Sequence, residues 1–131
     1  MPYSPLAAGH LTRPTWHTDT HRSKTDRVAM GKYDRTESQD IQIVSRVAAL
    51  AKQYGVNMQQ IALAWHWAKG VASPIVGATK SYYLDDAVNA LSIKLTDADL
   101  AYLEELYVPH RIIGAIDHNP ADGVMLLDEK K

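Results

Sequence analysis

The chain contains no cysteine, which excludes a disulfide framework, a thiolate zinc site and thiol chemistry. It has almost no net charge: 14 Lys and Arg stand against 15 Asp and Glu, giving −1. The electrostatic attraction that draws basic proteins to nucleic acid or anionic membranes is therefore missing. No apolar run approaches the roughly 20 residues of a membrane-spanning helix. The opening Met1-Pro2-Tyr3-Ser4-Pro5-Leu6 has no basic n-region and no apolar h-region, so no secretory signal is expected and a cytoplasmic location is the default. There is no Walker-type phosphate loop and no G-x-G-x-x-G fingerprint. Internal repeats and low-complexity segments are absent too. What is there is 131 residues, 46% hydrophobic and 22% charged, the composition of a folded protein with room for one modest core.

The punctuation of the chain predicts its elements. Residues 2–9 end a short strand and enter a turn, because Pro5 lacks an N–H and fixes its own backbone. Residues 10–36 are polar and aperiodic and form a long loop, with a short helix near Thr25–Tyr33. Thr36-Glu37-Ser38-Gln39 matches a capping box, and Ile41, Val44, Val47, Ala48, Ala51 and Tyr54 follow at helical spacing up to Gly55. Asn57 and Gln60 open a second helix with Ile61, Ala64, Trp65 and Ala68 on its buried stripe, closed by Gly70. Pro74-Ile75-Val76 is short, apolar and bounded by breakers, which predicts a buried strand. Ser81 or Thr79 caps the next helix, with Leu84, Ala87, Val88 and Leu91 on one face. Thr96-Asp97-Ala98-Asp99 caps the last, with Leu100, Leu103 and Leu106 inward. From Val108 onward, Pro109, Gly114, Pro120 and Gly123 break any pattern.

The order is strand, long loop, two helices, strand, two helices, tail. That alternation defines an α/β class with parallel pairing and right-handed crossovers. Two parallel strands cannot make a two-sided sheet, so the pattern is short of strands.

Two segments follow strands, the place where α/β folds gather ligands. In Tyr3-Ser4-Pro5-Leu6-Ala7-Ala8-Gly9 the small residues let a ligand approach the backbone, and the turn can aim N–H groups at phosphate oxygens. Gly77-Ala78-Thr79-Lys80-Ser81 offers exposed donors, two hydroxyls and an ammonium at a helix N-terminus. A plain turn and a plain helix cap describe the same residues.

These segments resemble the aldo-keto reductases. Residues 3–13, Tyr-Ser-Pro-Leu-Ala-Ala-Gly-His-Leu-Thr-Arg, are similar to the seventh-strand motif of that family. Ile61-Ala62-Leu63-Ala64-Trp65 and Pro74-Ile75-Val76-Gly77-Ala78-Thr79-Lys80 resemble its seventh helix and eighth strand. Tyr107-Val108-Pro109-His110 resembles the C-terminal segment of a bacterial and fungal subgroup, versiconal hemiacetal acetate reductase-like and aryl-alcohol dehydrogenase-like. The resemblance runs over about residues 2–114, in order and in spacing. It implies the C-terminal fragment of a (β/α)8 TIM barrel, comprising strands and helices 7–8, the cofactor-covering loop and a tail. Residues 1–114 would be a partial NADP-dependent oxidoreductase domain and 115–131 a C-terminal tail.

The resemblance also implies roles. Tyr3 would stack on the nicotinamide ring of NADP(H). Ser4 and Leu6 would bind the pyrophosphate, with Gly9 making the tight turn beneath it. Arg13 would neutralise the diphosphate, and Arg22 would face the 2′-phosphate from the long loop. After Gly77, Thr79 and Lys80 would meet the 2′-phosphate. Tyr83 would lie beside the adenine, with Asp86 as an acidic adenine-side contact. Ala87 stands where an Asn is common in the family. The catalytic Tyr proton donor and its Asp, Lys and His partners come from the first half of such a barrel, and Met1 falls within the seventh strand. A positioned acid is required for carbonyl reduction, so no catalytic residue is assigned here and the chain alone is expected to be inactive. In the full-length parent the partners would be NADPH and a small carbonyl substrate.

Rival readings come from other classes. Residues 51–61 match a helix-turn-helix spacing, but the second helix has Lys69 as its only cation and bulky Trp65 and Trp67. His17-Thr18-Asp19-Thr20-His21 has metal-like spacing without apolar support and is expected to be solvated loop, leaving no metal site. His66 is expected to be a half-buried packing residue, and His110 either a substrate-side or a tail residue. A third reading is a non-catalytic interaction or decoy subunit. Its apolar stripes need a barrel wall, and that surface would favour self-association.

Overall fold

The computed structural model describes residues 1–19, 24, 25 and 32–110, Asp34 without its side chain. Arg22, most of the expected Thr25–Tyr33 helix, the boundary at 114 and the tail 115–131 lie outside the described residues. Among the described residues four complete α-helices carry the fold: α1 Glu37–Tyr54, α2 Met58–Ala68, α3 Ser81–Asn89 and α4 Asp97–Glu104. Short 3-10 turns occupy Ala7–Thr12, Asp34–Thr36 and Ala90–Ser92.

α1 and α2 form a hairpin over Gly55. Its φ of 66° is the left-handed conformation that closes a helix, and a Cβ there would meet nothing within 4 Å. Backbone conformation rather than packing asks for glycine. Val56 N–H then donates to Ala51 O at 3.0 Å. α2 starts with the expected capping box: Gln60 N–H donates to Asn57 Oδ1 at 3.0 Å and Asn57 N–H to Gln60 Oε1 at 3.1 Å. α4 is capped by the same logic through Thr96 and Asp99. The start of α1 differs. Thr36 makes no cap; its hydroxyl lies 2.7 Å from Asp40 Oδ2 and 3.0 Å from Tyr33 O. The hydroxyl is turned to donate to a carboxylate one turn on and to a nearby carbonyl, which leaves its oxygen off the backbone amides.

The core sits between α1, α2 and α4. Val44, Val47, Leu50 and Ala51 of α1 close on Met58 and Ile61 of α2 and Leu103 of α4, with Trp16 of the loop against them. Leu100 and Leu106 are only half-buried. In α2 every residue from Met58 to Ala64 is buried, whereas Ala68, expected on its buried stripe, is exposed. Polar ties reinforce the contacts: Trp65 Nε1 donates to Glu104 Oε1 at 2.8 Å, and Tyr54 OH to Asp99 Oδ2 at 2.5 Å. Arg46 reaches the Tyr102 carbonyl and Glu105.

The two expected strands do not form. Among the described residues there is no β-strand; the segments touch through one backbone bond, Ile75 N–H to Pro2 O at 3.1 Å. Pro5 and Pro74 supply no N–H, and two segments alone leave each with an empty edge. Ile75, expected to be buried, is 48% exposed. The row Leu84, Val88 and Leu91 is open to solvent as well. The helical half of an α/β pattern has therefore assembled around its own core.

Candidate functional site

The N-terminal turn is built from small residues in left-handed backbone. Ser4, Ala7, Ala8 and Gly9 have φ of 55°, 48°, 53° and 94°, at a cost of about 1 kcal/mol or more for each non-glycine residue. Internal hydrogen bonds hold that shape. Ala7 N–H donates to Ser4 O at 3.0 Å, Ala8 N–H to Ser4 Oγ at 3.3 Å, and Gly9 N–H to Leu6 O at 2.9 Å. This corrects the expectation that the turn aims these amides outward: three of them are taken up inside it. The Ser4 hydroxyl, accepting from Ala8, keeps its own proton to donate. Tyr3 projects beside it, 78% exposed, with Lys32 Nζ 5.7 Å from its ring centroid. That cation from the end of the long loop was not legible in the sequence, since nothing in the spacing links residues 29 positions apart.

Arg13 bonds back onto the turn. Its Nη1 donates to Gly9 O at 2.9 Å and Nη2 lies 3.5 Å from Trp16 O. Partial burial pushes the guanidinium pKa down from its usual value.

The second segment sits against the first through the Pro2–Ile75 bond, two residues ahead of Ser4 and of Gly77. Gly77, Ala78, Thr79 and Lys80 are all exposed. A Cβ on Gly77 would meet nothing within 4 Å, and its φ is not left-handed, so neither packing nor backbone demands glycine; its absent side chain leaves open space. Neither Ser81 nor Thr79 caps α3. The cap position is Lys80, with no side-chain hydrogen bond to the helix amides. The N-terminus of α3 thus has no side-chain cap and no acidic residue in its first turn to screen the positive dipole end, although Tyr83 N–H donates to Lys80 O at 3.2 Å.

Lys80 is held by its neighbours. Its ammonium lies 5.5 Å from the Tyr82 ring centroid, and a hydrogen bond to the Tyr82 phenol holds its pKa above the ordinary value. Tyr82 and Tyr83 rings lie 4.4 Å apart. Accepting from Tyr83 and Lys80 pushes the Tyr82 phenol pKa down; donating to Tyr82 pushes that of Tyr83 up. Tyr83 is also anchored by its carbonyl, which accepts from buried Gln59 Nε2 at 2.9 Å. Tyr82, more exposed than Tyr83, was missed in the sequence because adjacent tyrosines carry no sign of which one faces out. Asp86 is close enough to act on both phenols.

Three of the described histidines make contacts within the chain. His66 Nδ1 lies 2.8 Å from Ala62 O, half-buried and edge-on to Trp65. His17 pairs with Glu37 at 3.1 Å, and His110 Nε2 lies 3.1 Å from Asp40. Among the described residues no group of three His, Cys, Asp or Glu could hold a metal, and no helix is long and apolar enough to cross a membrane. In the segment with helix-turn-helix spacing, the second helix is buried from Met58 to Ala64. A mostly apolar cavity of about 620 Å³ opens between the turn and the helices, lined by Tyr3, Ser4, Val47, Trp65, Leu103 and Tyr107 among others.

The small-residue turn and the exposed, cationic start of α3 come together through one backbone bond, Ile75 N–H to Pro2 O. Sequence comparison identifies the family. The aldo/keto reductase family profile matches residues 1–108, and the chain belongs to this family. It is 38% identical over 113 residues to versiconal hemiacetal acetate reductase of Aspergillus parasiticus, covering 86% of this chain and 33% of that one. It is 44% identical over 117 residues to a Schizosaccharomyces pombe protein provisionally named aryl-alcohol dehydrogenase, covering 88% and 32%. The chain spans about a third of the length of these curated relatives. Family membership implies a (β/α)8 barrel architecture, of which the described residues show a helical part.

Proposed function

We propose that this chain is the C-terminal, cofactor-binding part of an NADP(H)-dependent aldo-keto reductase that reduces aldehydes or ketones to alcohols. The observation that carries the reading is the entrance to α3: uncapped helix amides behind Lys80, with bare backbone at Gly77 in front. That donor set suits a phosphate monoester. The other end suits a planar ring, because Tyr3 offers an exposed aromatic face with Lys32 above it. The residues therefore fit the two ends of an elongated phosphorylated dinucleotide.

In this reading Thr79 and Lys80 hold the 2′-phosphate, and Tyr83 and Asp86 flank the adenine. Ser4, Leu6 and Gly9 meet the diphosphate, and Tyr3 fixes the face of the nicotinamide. When bound, the cofactor supplies the hydride. Arg22 lies outside the described residues and keeps its role only by resemblance. The proton donor belongs to the first half of the barrel, so the purified chain binds cofactor without turning over substrate.

The test is a fluorescence titration of the 131-residue chain with NADPH and NADH. NADPH should bind, and K80A should weaken it about tenfold, the scale of one charge-assisted contact, while NADH binding stays unchanged. No NADPH binding at millimolar concentration sinks the proposal, and so does an equal loss of both cofactors in K80A. Cofactor-dependent turnover by the chain alone would overturn its assignment as non-catalytic.

A second reading is favoured by one observation: Leu84, Val88 and Leu91 form an exposed apolar row on α3. In it the chain completes a barrel with another chain, or self-associates, as a non-catalytic subunit. Sedimentation showing a monomer at all concentrations counts against this, and a dimer abolished by V88E supports it.

A further inference from the structure

We propose that Arg13 is a positioning residue, one that locks the Ser4–Gly9 turn in its bound shape by bonding to the Gly9 carbonyl. This rests on the cofactor reading above and deepens it. The Gly9 carbonyl is the hub of the turn. It accepts from Thr12 Oγ1 at 2.8 Å and from Arg13 Nη1 at 2.9 Å. Arg13 Nη2 points at Trp16 O, 3.5 Å away, beyond the turn. The fork thus faces two backbone carbonyls on the two sides of its own residue, and Nε is buried without a hydrogen-bond partner.

A cation meant for direct contact with a diphosphate keeps its donors toward solvent. This one turns at least two inward and gives up hydration to do so, and its lowered pKa has the same cause. The turn needs such a lock. Ala7 and Ala8 sit in left-handed backbone that alanine disfavours, and released residues relax toward ordinary conformations. The fit between Gly9 and Arg13 is also close: a Cβ at position 9 would stand 2.9 Å from Nη1. Arg suits the task where Lys does not, because a planar fork can serve two acceptors at fixed geometry and an ammonium is a single point.

The experiment is amide hydrogen exchange on the full chain without cofactor, comparing wild type with R13M and R13K, followed by NADPH titration at several salt concentrations. Exchange over residues 4–13 should speed at least tenfold in R13M, with Ile61–Ala64 unchanged, and R13K should fall between. NADPH affinity should fall in the same order, with an unchanged dependence on salt. Wild-type exchange over 4–13 in R13M overturns the proposal. A loss of affinity together with loss of salt dependence and unaltered exchange overturns it too, making Arg13 a direct contact. If R13M does not fold, R13K decides: faster exchange over 4–13 supports the lock, and wild-type exchange refutes it. Failure of the wild type to bind NADPH would sink the cofactor reading alone, because the exchange result needs no ligand.

Discussion

Ile61 is fully buried at the centre of the core, between α1 residues Val44 and Val47 and α4 residue Leu103. Ile61→Ala removes three carbons from that site. Each is worth about 0.8 kcal/mol on burial, so the transfer loss alone is about 2.4 kcal/mol. Three helices frame the site and cannot all close on it, so a cavity adds to the loss and the total should reach about 3–4 kcal/mol. That is a large share of the roughly 5–15 kcal/mol that stabilises an ordinary domain. Leu84→Ala is the matched control: the same change of size on α3, at a side chain 51% exposed, should cost under about 0.5 kcal/mol. Urea unfolding followed by tryptophan fluorescence and far-ultraviolet circular dichroism measures both. With a slope of about 1–2 kcal/mol/M, the I61A midpoint should drop by about 2 M, and that of L84A should stay in place. A cost below about 1 kcal/mol for I61A would refute the three-helix core. An L84A cost equal to that of I61A would show α3 packed on an apolar partner in solution, and so would refute its open face.

Asp99 accepts from Thr96 and Tyr54, and the Tyr54 hydrogen bond, its largest influence, holds its carboxyl below the usual range. A folded-state value below the unfolded one, about 3.9, means that its stabilisation is complete above that pH and is lost as pH falls through the folded value. Tyr54→Phe should therefore flatten the acid limb of the stability curve below pH 4, seen by thermal melts across pH; an unchanged limb refutes the link. Gly9→Ala should destabilise by about 1 kcal/mol or more, from its φ of 94° and the 2.9 Å approach to Arg13 Nη1; a melt equal to wild type would refute the turn geometry. Trp65→Phe removes the donor to Glu104 but leaves Lys69 paired with that carboxylate. It should cost about 1 kcal/mol, and a cost above about 3 kcal/mol in the same urea assay would contradict the role of this partly buried tie.

What was legible in the sequence was what is set within a few residues. Gly55 closes α1 because only φ matters there, and Asn57–Gln60 and Thr96–Asp99 cap because donor and acceptor are three apart. The same logic failed at Thr36, where other partners engage the hydroxyl, and at Ser81. Asp40 takes the Thr36 hydroxyl, and the chain enters α3 at Lys80 with no cap at all. At the candidate site, residue types were legible and orientations were not. The small residues of the turn identified a place for close approach. Their left-handed conformations, however, direct three amides inward, which no residue type announces. Lys32 over Tyr3 and Tyr82 over Lys80 are contacts made by folding, the first across 29 residues.

The strands mark the deeper limit. A helix satisfies its backbone within itself, so α1, α2 and α4 need only one another to bury Ile61 and Leu103. A strand satisfies its backbone through neighbours. Pro2–Pro5 and Pro74–Val76 have the strand pattern but share one backbone bond, and their side chains Tyr3 and Ile75 stand in solvent. Fold and site therefore rest on different physical footings in this chain. The core is closed by helix–helix packing, whereas the two candidate segments have open edges and one backbone bond between them. Adding neighbouring strands should order the site far more than the core. Hydrogen exchange over 1–9 and 74–80 should slow when the chain is joined to the preceding part of a family barrel, while exchange within α2 stays as it is. Equal slowing in both regions would show that the helical core is not self-sufficient.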